Sequence, residues 1–200
     1  IRKDHPLASQ LLTTGKCIAV DDVRTTLGQT AAAFYGNPSD QLLVCGVTGT
    51  NGKTTSTYLL EAILREWQKK PAVIGTVENR FEKHRIESTH TTPDAIGLQK
   101  LFSDFLKLGA QAVCMEVSSH ALDQKRTVGT QFAAALFTNL TQDHLDYHQT
   151  MENYFEAKSL FFTDYPVRVR AIHTADAYGK RLAEICREKN LKHLTFDSKD

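Results

Sequence analysis

An apolar segment that runs directly into a glycine-rich loop constrains the fold of this 200-residue chain more than any other feature. From Val44 to Thr55 the sequence reads VCGVTGTNGKTT, and apolar residues continue at Tyr58-Leu59-Leu60. This order predicts a buried strand, a tight turn and a helix. Gly49 and Gly52 allow left-handed backbone angles, so several N–H groups can point at one anion. The start of the helix adds unpaired N–H groups and the positive end of the helix dipole.

The side chains of this loop are those that nucleotide phosphates require. Lys53 can reach the terminal phosphates, and the Thr54 hydroxyl is placed to coordinate a phosphate-bound Mg²⁺. The pattern departs from G-x-x-x-x-G-K-[ST], because Val47 occupies the position of the first glycine. A bare G-K-T can be a chance turn before a helix, but the flanking strand and helix favour phosphate binding. We therefore expect ATP or GTP to bind at Gly49, Thr50, Asn51, Gly52, Lys53, Thr54 and Thr55.

The composition argues against several classes of partner. Lysine and arginine number 24 and aspartate and glutamate 23, so there is no electrostatic reason to expect nucleic acid or an anionic membrane. The sequence shows no membrane-length apolar run and no secretory signal. The cysteines form no C-x-x-C pair, which argues against a disulfide framework and a zinc site. We expect a monomer in a reducing cytoplasm, with free thiols at Cys17, Cys45, Cys114 and Cys186.

From residue 41 onward, apolar strand candidates alternate with helical patterns. Strands are predicted at 42–47, 72–77, 112–117, 132–138, 168–173 and near 193–196, and helices at 53–69, 94–108, 151–162 and 176–189. Thr92 is the predicted N-cap of the second of these helices, with Pro93 at its first position and Gly109 as its stop. The alternation predicts an α/β fold that resembles P-loop NTPases, with a mostly parallel sheet and helices on both faces. Ligands of such sheets bind beyond the carboxyl ends of the strands.

The first 40 residues read differently from the rest. A short strand is predicted at 17–20, followed by a helix through 31–35 that Asp21 or Asp22 could cap. The turn residues at 36–40 predict a domain boundary. Because residues 1–40 are too short to hold a core, we expect them to be the tail of a domain whose start is missing, followed by an incomplete domain at 41–200.

Two acidic motifs lie near predicted strand ends. Glu116 ends an apolar strand, where a carboxylate either holds Mg²⁺, as Walker-B acids do, or caps a turn. The residues alone do not favour either of these two roles for Glu116. The segment Asp143–His148 contains two aspartates and two histidines, which suit a metal cluster but more often form a hydrated polar loop.

Two further motifs have ordinary interpretations when taken alone. Lys158 lies in a predicted helix, where a lysine is normally solvated. The run His90-Thr91-Thr92-Pro93 precedes a helix, so it suits either an anionic substrate group or a plain N-cap.

Taken together, the motifs at 48–55, 91–93, 116–120, 143–148 and 156–158 closely resemble the Mur ligases. Among them the resemblance is strongest to the MurE type, the UDP-N-acetylmuramoyl-tripeptide synthetases, from about Phe34 to Phe162. It implies an ATP-dependent enzyme of peptidoglycan biosynthesis that joins meso-diaminopimelate or L-lysine to UDP-N-acetylmuramoyl-L-alanyl-D-glutamate. In this family ATP converts the peptide carboxylate into an acyl phosphate, which the incoming amine attacks.

The resemblance also implies residue roles. Lys53 corresponds to the lysine on the β and γ phosphates, and Thr54 and Glu116 to ligands of a first Mg²⁺. His144 corresponds to a ligand of a second Mg²⁺. Lys158 corresponds to a lysine that carries CO₂ as a carbamate, which replaces its solvated interpretation. Contacts to the UDP-muramoyl dipeptide are implied for Thr91, Thr92, Ser118, Gln124 and Arg126.

The chain departs from the family pattern at one motif, and two alternatives stay open. His173-Thr174-Ala175-Asp176 replaces an Asn-x-Asp-Asp motif, so adenine recognition by this segment is in doubt. The resemblance implies that residues 1–40 end a UDP-binding domain and that the C-terminal domain, which selects the amino acid, is absent. The truncated chain alone is expected to be inactive. The alternatives are a folylpolyglutamate-type ligase and a nucleotide-binding module without ligase activity.

Overall fold

The computed structural model describes residues 1–197, in which eight strands form one sheet in the order β4-β3-β2-β5-β1-β6-β7-β8. The strands are β1 Leu43–Thr48, β2 Pro71–Ile74, β3 Glu78–Phe81, β4 His84–Glu87, β5 Ala112–Glu116, β6 Phe132–Phe137, β7 Val167–His173 and β8 His193–Phe196. Six strands run parallel, whereas β3 pairs antiparallel with both β2 and β4. The predicted mostly parallel sheet is confirmed, and β1 lies at its centre between β5 and β6.

Helices cover both faces of the sheet, as predicted. The helices are α1 Ala8–Leu12, α2 Val23–Phe34, α3 Lys53–Glu66, α4 Ala95–Lys107, α5 Ser119–Asp123, α6 Leu145–His148, α7 Met151–Thr163 and α8 Ala177–Glu188. Leu64 of α3 packs on Ala112 and Cys114, whereas Phe102 of α4 shares a larger core with Val113. Successive residues of a strand point to opposite faces, so α3 and α4 lie on opposite sides of β5. No helix within residues 1–197 is long and apolar enough to cross a membrane.

One predicted helix start is wrong. Asp94, and not Thr92, caps α4, since its side chain accepts a hydrogen bond from the Gly97 N–H. The non-helical angles of a residue before proline would suit an N-cap, but the buried Thr92 hydroxyl instead donates to the Glu116 carbonyl and accepts from the Ser118 N–H. The predicted cap of α2 is confirmed, because Asp22 accepts from two N–H groups of the first turn.

The predicted strand at 17–20 is also wrong. Only Val20 forms a bridge there, to Arg2, and Ile18 is 79% exposed, so this run does not bury an apolar face. The division of the chain at residue 40 stays a prediction.

The hairpin of β3 and β4 was not predicted. Every residue of β4 is exposed, which leaves no alternation of buried and exposed positions to indicate a strand. An ion pair attaches the hairpin to α3, because Arg80 donates to both carboxylate oxygens of the buried Glu61, at 2.6 and 2.5 Å.

Candidate active site

The loop after β1 has the backbone that its glycines predicted. Gly52 is in the left-handed region (φ 81°) and directly precedes the first turn of α3. Gly49 has a φ of 149°, and a Cβ placed on it would lie 1.9 Å from Oγ1 of Thr138. Position 49 therefore requires glycine for two reasons, backbone angle and space, whereas Gly52 has open space around it.

These two glycines provide a matched test. Alanine at either position is strained, by about 1–2 kcal/mol in the left-handed conformation of Gly52 and by about 1–3 kcal/mol at Gly49, whose φ lies outside that region. Gly49→Ala adds a collision with Thr138, so we expect its thermal unfolding midpoint to fall several degrees further than that of Gly52→Ala. Thermal denaturation of the two variants measures this difference. Equal losses of stability would mean that the loop relaxes away from Thr138.

Side chains that follow β6 hold the loop from outside. Asn139 accepts from the Asn51 N–H at 3.0 Å and donates to the Asn51 carbonyl at 3.1 Å. The Thr138 hydroxyl donates to the same carbonyl at 2.7 Å. Thr50 donates to the Thr141 carbonyl at 3.1 Å. No sequence motif indicated a role for these residues, and their place after a strand next to β1 was the only available signal.

Two lysines converge on one loop carbonyl. Lys53 donates to the carbonyls of Gly49 and Thr50 at 2.9 and 2.8 Å, and Lys158 donates to that of Gly49 at 3.0 Å. Lys158 is 1% exposed and lies over the Tyr154 ring, 4.6 Å from its centroid. The solvated interpretation of Lys158 is therefore wrong, and its burial agrees with the implied place in the site.

Burial lowers the pKa of both lysine amines and so favours their neutral form. Burial lowers the pKa of Lys53, against the opposing effect of the Glu116 and Asp143 charges. The pKa of Lys158 lies well below its ordinary value, first because of burial and then because of the positive charge of Lys53. A depressed pKa increases the fraction of neutral, nucleophilic amine on Lys158 near neutral pH.

Glu116 faces the loop from the end of β5. Its Oε1 accepts from the Thr54 hydroxyl and from the Thr76 N–H, both at 3.0 Å, and its Oε2 accepts from the Thr76 hydroxyl at 3.1 Å. A Cβ on Gly75 would lie 2.4 Å from Oε1, so glycine gives the carboxylate its space. A hydroxyl and a carboxylate side by side at a phosphate loop are a donor set that fits Mg²⁺, which takes few protein ligands besides water and phosphate.

The segment Asp143–His148 is in part the polar surface loop that its residues favoured, since Asp143, His144 and Asp146 are exposed, but His148 is buried. His144 has left-handed angles and lines the cleft beside the loop, whereas His148 is buried with its Nε2 2.9 Å from the Ser119 hydroxyl. Within residues 1–197 no three His, Cys, Asp or Glu side chains gather as a metal site. His144 is thus the histidine of this segment that could contribute to a site shared with Glu116.

The residues implied for substrate binding meet at the neighbouring strand ends. Thr92 donates to the Glu116 carbonyl at 2.9 Å and accepts from the Ser118 N–H at 3.0 Å. Arg126 donates through Nη1 to the Thr92 carbonyl at 3.0 Å. Its Nε and Nη2 donate to Oε1 of Gln124 at 3.0 and 2.7 Å. The Thr91 hydroxyl lies 3.1 Å from that of Thr76, which joins this group to Glu116.

The cleft has two adjoining lobes. The first, of about 300 Å³, is lined by Thr50, Asn51, Gly52, Lys53, Thr54, Thr55, Thr76, Thr91, Glu116, Ser118, Ser119, His144 and Lys158. The second, of about 380 Å³, is lined by Thr76, Ser88, Thr89, His90, Thr91, Ser118, His120, Arg126 and His144. Four residues line both lobes, so the loop and Arg126 face one continuous space. Thr92 and Gln124 lie outside both linings and support Arg126 from behind.

The segment that departs from the family motif makes internal contacts. His173 donates through Nδ1 to the Thr138 carbonyl at 2.8 Å. Asp176 caps α8 by accepting from the Gly179 N–H at 2.7 Å, and it also accepts from the Leu140 N–H at 3.1 Å. These contacts connect the ends of β6 and β7, and neither side chain is among those that line the cleft.

Residues 47–200 match the family model described as the Mur ligase middle domain. This chain belongs to the Mur ligase family. It is 51% identical over 182 residues to a UDP-N-acetylmuramoyl-L-alanyl-D-glutamate--2,6-diaminopimelate ligase of Aquifex aeolicus, covering 91% of this chain and 37% of the relative. It is 50% identical to the ligase of the same name from Geobacter metallireducens, covering 83% of this chain and 34% of the relative. The chain thus spans about a third of the length of these curated relatives.

Solved structures agree with this Mur ligase assignment. A structure of a UDP-N-acetylmuramoyl-L-alanyl-D-glutamate--2,6-diaminopimelate ligase superposes with a TM-score of 0.80 at 34% identity, over 90% of this chain and 37% of that one. MurF from Thermotoga maritima superposes with a TM-score of 0.62 at 18% identity, over 92% of this chain and 38% of that one. E. coli FolC superposes with a TM-score of 0.65 at 19% identity, over 98% of this chain and 52% of that one. The last two show that the fold is shared.

Proposed function

We propose that this chain is the ATP-binding part of a ligase that adds meso-diaminopimelate to UDP-N-acetylmuramoyl-L-alanyl-D-glutamate in peptidoglycan biosynthesis. The observation that carries the proposal is the convergence of Lys53, Thr54, Glu116 and Lys158 on one loop at the carboxyl end of the central strand β1. ATP phosphorylates the terminal carboxylate of the dipeptide. The amine then attacks the acyl phosphate, forming an amide and releasing phosphate. The names of the relatives favour diaminopimelate over L-lysine.

The loop supplies positioning and charge neutralisation, the main needs of phosphoryl transfer. Lys53 is already held at the loop by two carbonyls and can bond a β or γ phosphate oxygen in their place. The N–H groups at the start of α3 add donors for the same phosphates.

The acidic side of the cleft fits magnesium. Thr54 and Glu116 would hold one Mg²⁺, and His144, which lines the same lobe, would contribute to a second. Bound Mg²⁺ neutralises the negative charge that develops on the transferred phosphoryl group.

Lys158 is suited to react with CO₂. Its neutral amine would form an N–C bond to CO₂ and lose one proton, which gives a carbamate anion. This replaces the repulsion between two lysines with an attraction, because Lys53 is the nearby charge that lowers the pKa of Lys158. The burial of Lys158 supports this role.

Arg126 offers an anion-binding fork in the second lobe. A guanidinium has five N–H donors, of which three bond Gln124 and Thr92. The other two, one on each terminal nitrogen, have no acceptor among residues 1–197. They suit a carboxylate or phosphate of the dipeptide substrate.

We also propose that the enzyme works in the cytoplasm, where ATP and UDP-linked precursors are found. We propose further that it is a monomer with no nucleic-acid or membrane partner. Residues 1–40 would end a UDP-binding domain of the whole protein.

Phosphate release by the full-length protein tests the proposal. With ATP, Mg²⁺ and UDP-N-acetylmuramoyl-L-alanyl-D-glutamate present, we expect release only after meso-diaminopimelate is added, and little with L-lysine. Release with a folate and glutamate instead would identify a folylpolyglutamate-type ligase. ATP binding without release under any of these conditions would identify a nucleotide-binding module.

A further inference from the structure

The side chain of Gln124 determines how Arg126 is aimed. Gln124 presents one oxygen to the edge of the guanidinium formed by Nε and Nη2. This contact fixes the plane of the guanidinium, and two of its N–H groups remain for a ligand in the second lobe, which Arg126 lines. A glutamine amide can also rotate by half a turn and present its NH₂ group, which would repel the guanidinium. Arg126 itself favours the amide oxygen, and a contact on the other side of the amide can hold it in that orientation.

The hydroxyl of Tyr147 selects the amide orientation. It donates its single proton to Oδ2 of Asp123 at 2.6 Å, because an ionised carboxylate only accepts. The hydroxyl must therefore accept its second bond, which comes from Nε2 of Gln124 at 3.1 Å. The donor and acceptor directions of these hydrogen bonds place the NH₂ group of Gln124 toward Tyr147 and its amide oxygen toward Arg126.

Tyr147 is itself fixed in place on both sides. Its ring centroid lies 4.2 Å from that of His120 and 4.9 Å from that of His148. The side chain remains 38% exposed, so it is not a core residue on which the fold depends. A ring held between two imidazoles gives its hydroxyl a defined position without burying it.

We propose that Tyr147 is a positioning residue for the acceptor substrate, acting through Gln124 on Arg126. Its hydroxyl fixes the Gln124 amide, and the amide aims the two N–H groups of Arg126 at an anionic group of the acceptor. This inference rests on the proposed function of Arg126. It assigns to Tyr147 an effect on acceptor affinity and not on ATP affinity or on the chemical step.

The decisive variant is Tyr147→Phe in the full-length protein, which keeps the ring and removes only the hydroxyl. We expect calorimetric titration with UDP-N-acetylmuramoyl-L-alanyl-D-glutamate to show an affinity about tenfold lower, or about 1.4 kcal/mol. In steady-state assays the KM for this acceptor should rise by the same factor, while kcat and the KM for ATP stay within about twofold. Tyr178→Phe, which removes a hydroxyl from a ring packed on Phe155, is the matched control and should change none of these values.

A double-mutant cycle separates positioning from a general structural effect. Adding Tyr147→Phe to Gln124→Ala should cause no further loss of acceptor affinity, because the hydroxyl then has no amide to orient. Additive losses would overturn the proposal, as would acceptor affinity in Tyr147→Phe equal to that of wild type. Wild-type protein that binds ATP but not the acceptor would instead overturn the proposed function, and this inference with it.

Discussion

Lys53→Met in the full-length protein should lower the rate of phosphate release by about 10³-fold, the loss typical of removing a preorganised electrostatic donor. Lys53 is the cation held closest to the loop, with its amine bonded to two loop carbonyls. Without the Lys53 amine, the negative charge of the phosphoryl group is no longer neutralised by this cation during transfer. Phosphate release at saturating ATP measures the effect on turnover, and titration with ATP measures the effect on affinity.

Lys69→Met is the matched control for this variant. Lys69 is exposed just beyond the end of α3, so the same substitution there should leave turnover unchanged. Lys53→Met should also raise the pKa of Lys158, because the charge of Lys53 is one cause of its depression. Turnover within tenfold of wild type would contradict the assigned role of Lys53.

Lys158→Met should act in opposite directions on activity and stability. The carbamate cannot form, so we expect turnover to fall by about 10²-fold or more, as for lost support of a metal site. The free energy of unfolding should rise by about 1 kcal/mol or more, because an apolar side chain of similar length replaces a buried amine. Phosphate release in bicarbonate-containing buffer measures the first effect, and thermal denaturation in bicarbonate-free buffer measures the second.

The stability gain should depend on pH. The pKa of Lys158 is depressed in the folded protein, so the unfolded chain binds more protons once the pH falls below the ordinary lysine value of about 10.4. The native state of wild type therefore loses stability as the pH falls through this range. We expect the advantage of Lys158→Met to be larger at pH 7 than at pH 10. An advantage that does not change with pH would show that the amine is not the cause.

The phosphate loop and the parallel sheet were predictable because their signals are local. A strand, two glycines and a lysine at the start of a helix follow one another without interruption, and each element agrees with the next. The hairpin of β3 and β4 lacks such a signal, since its outer strand is polar and exposed. The Thr92-Pro93-Asp94 run contains two possible helix starts, and bonds from Thr92 to a neighbouring strand decided between them.

The site was less predictable because its contacts are long-range. Lys158 reaches the carbonyl of Gly49, which is 109 residues away in sequence, and Asn139 reaches Asn51 across 88 residues. Helix periodicity treats Lys158 as a surface residue, and only the resemblance to a family indicated otherwise. The polar bonds of Thr138, Asn139 and Thr76 could be identified only after the strand order was known.

The bonds that hold Asn51 have an entropic consequence for nucleotide affinity. Both backbone groups of this residue are bonded to side chains that follow β6, so the protein itself sets the shape of the loop. Fixing the backbone of one residue costs about 1–2 kcal/mol of conformational free energy. A loop ordered during folding meets this cost before binding, so a larger share of the interaction with phosphate is expressed as affinity.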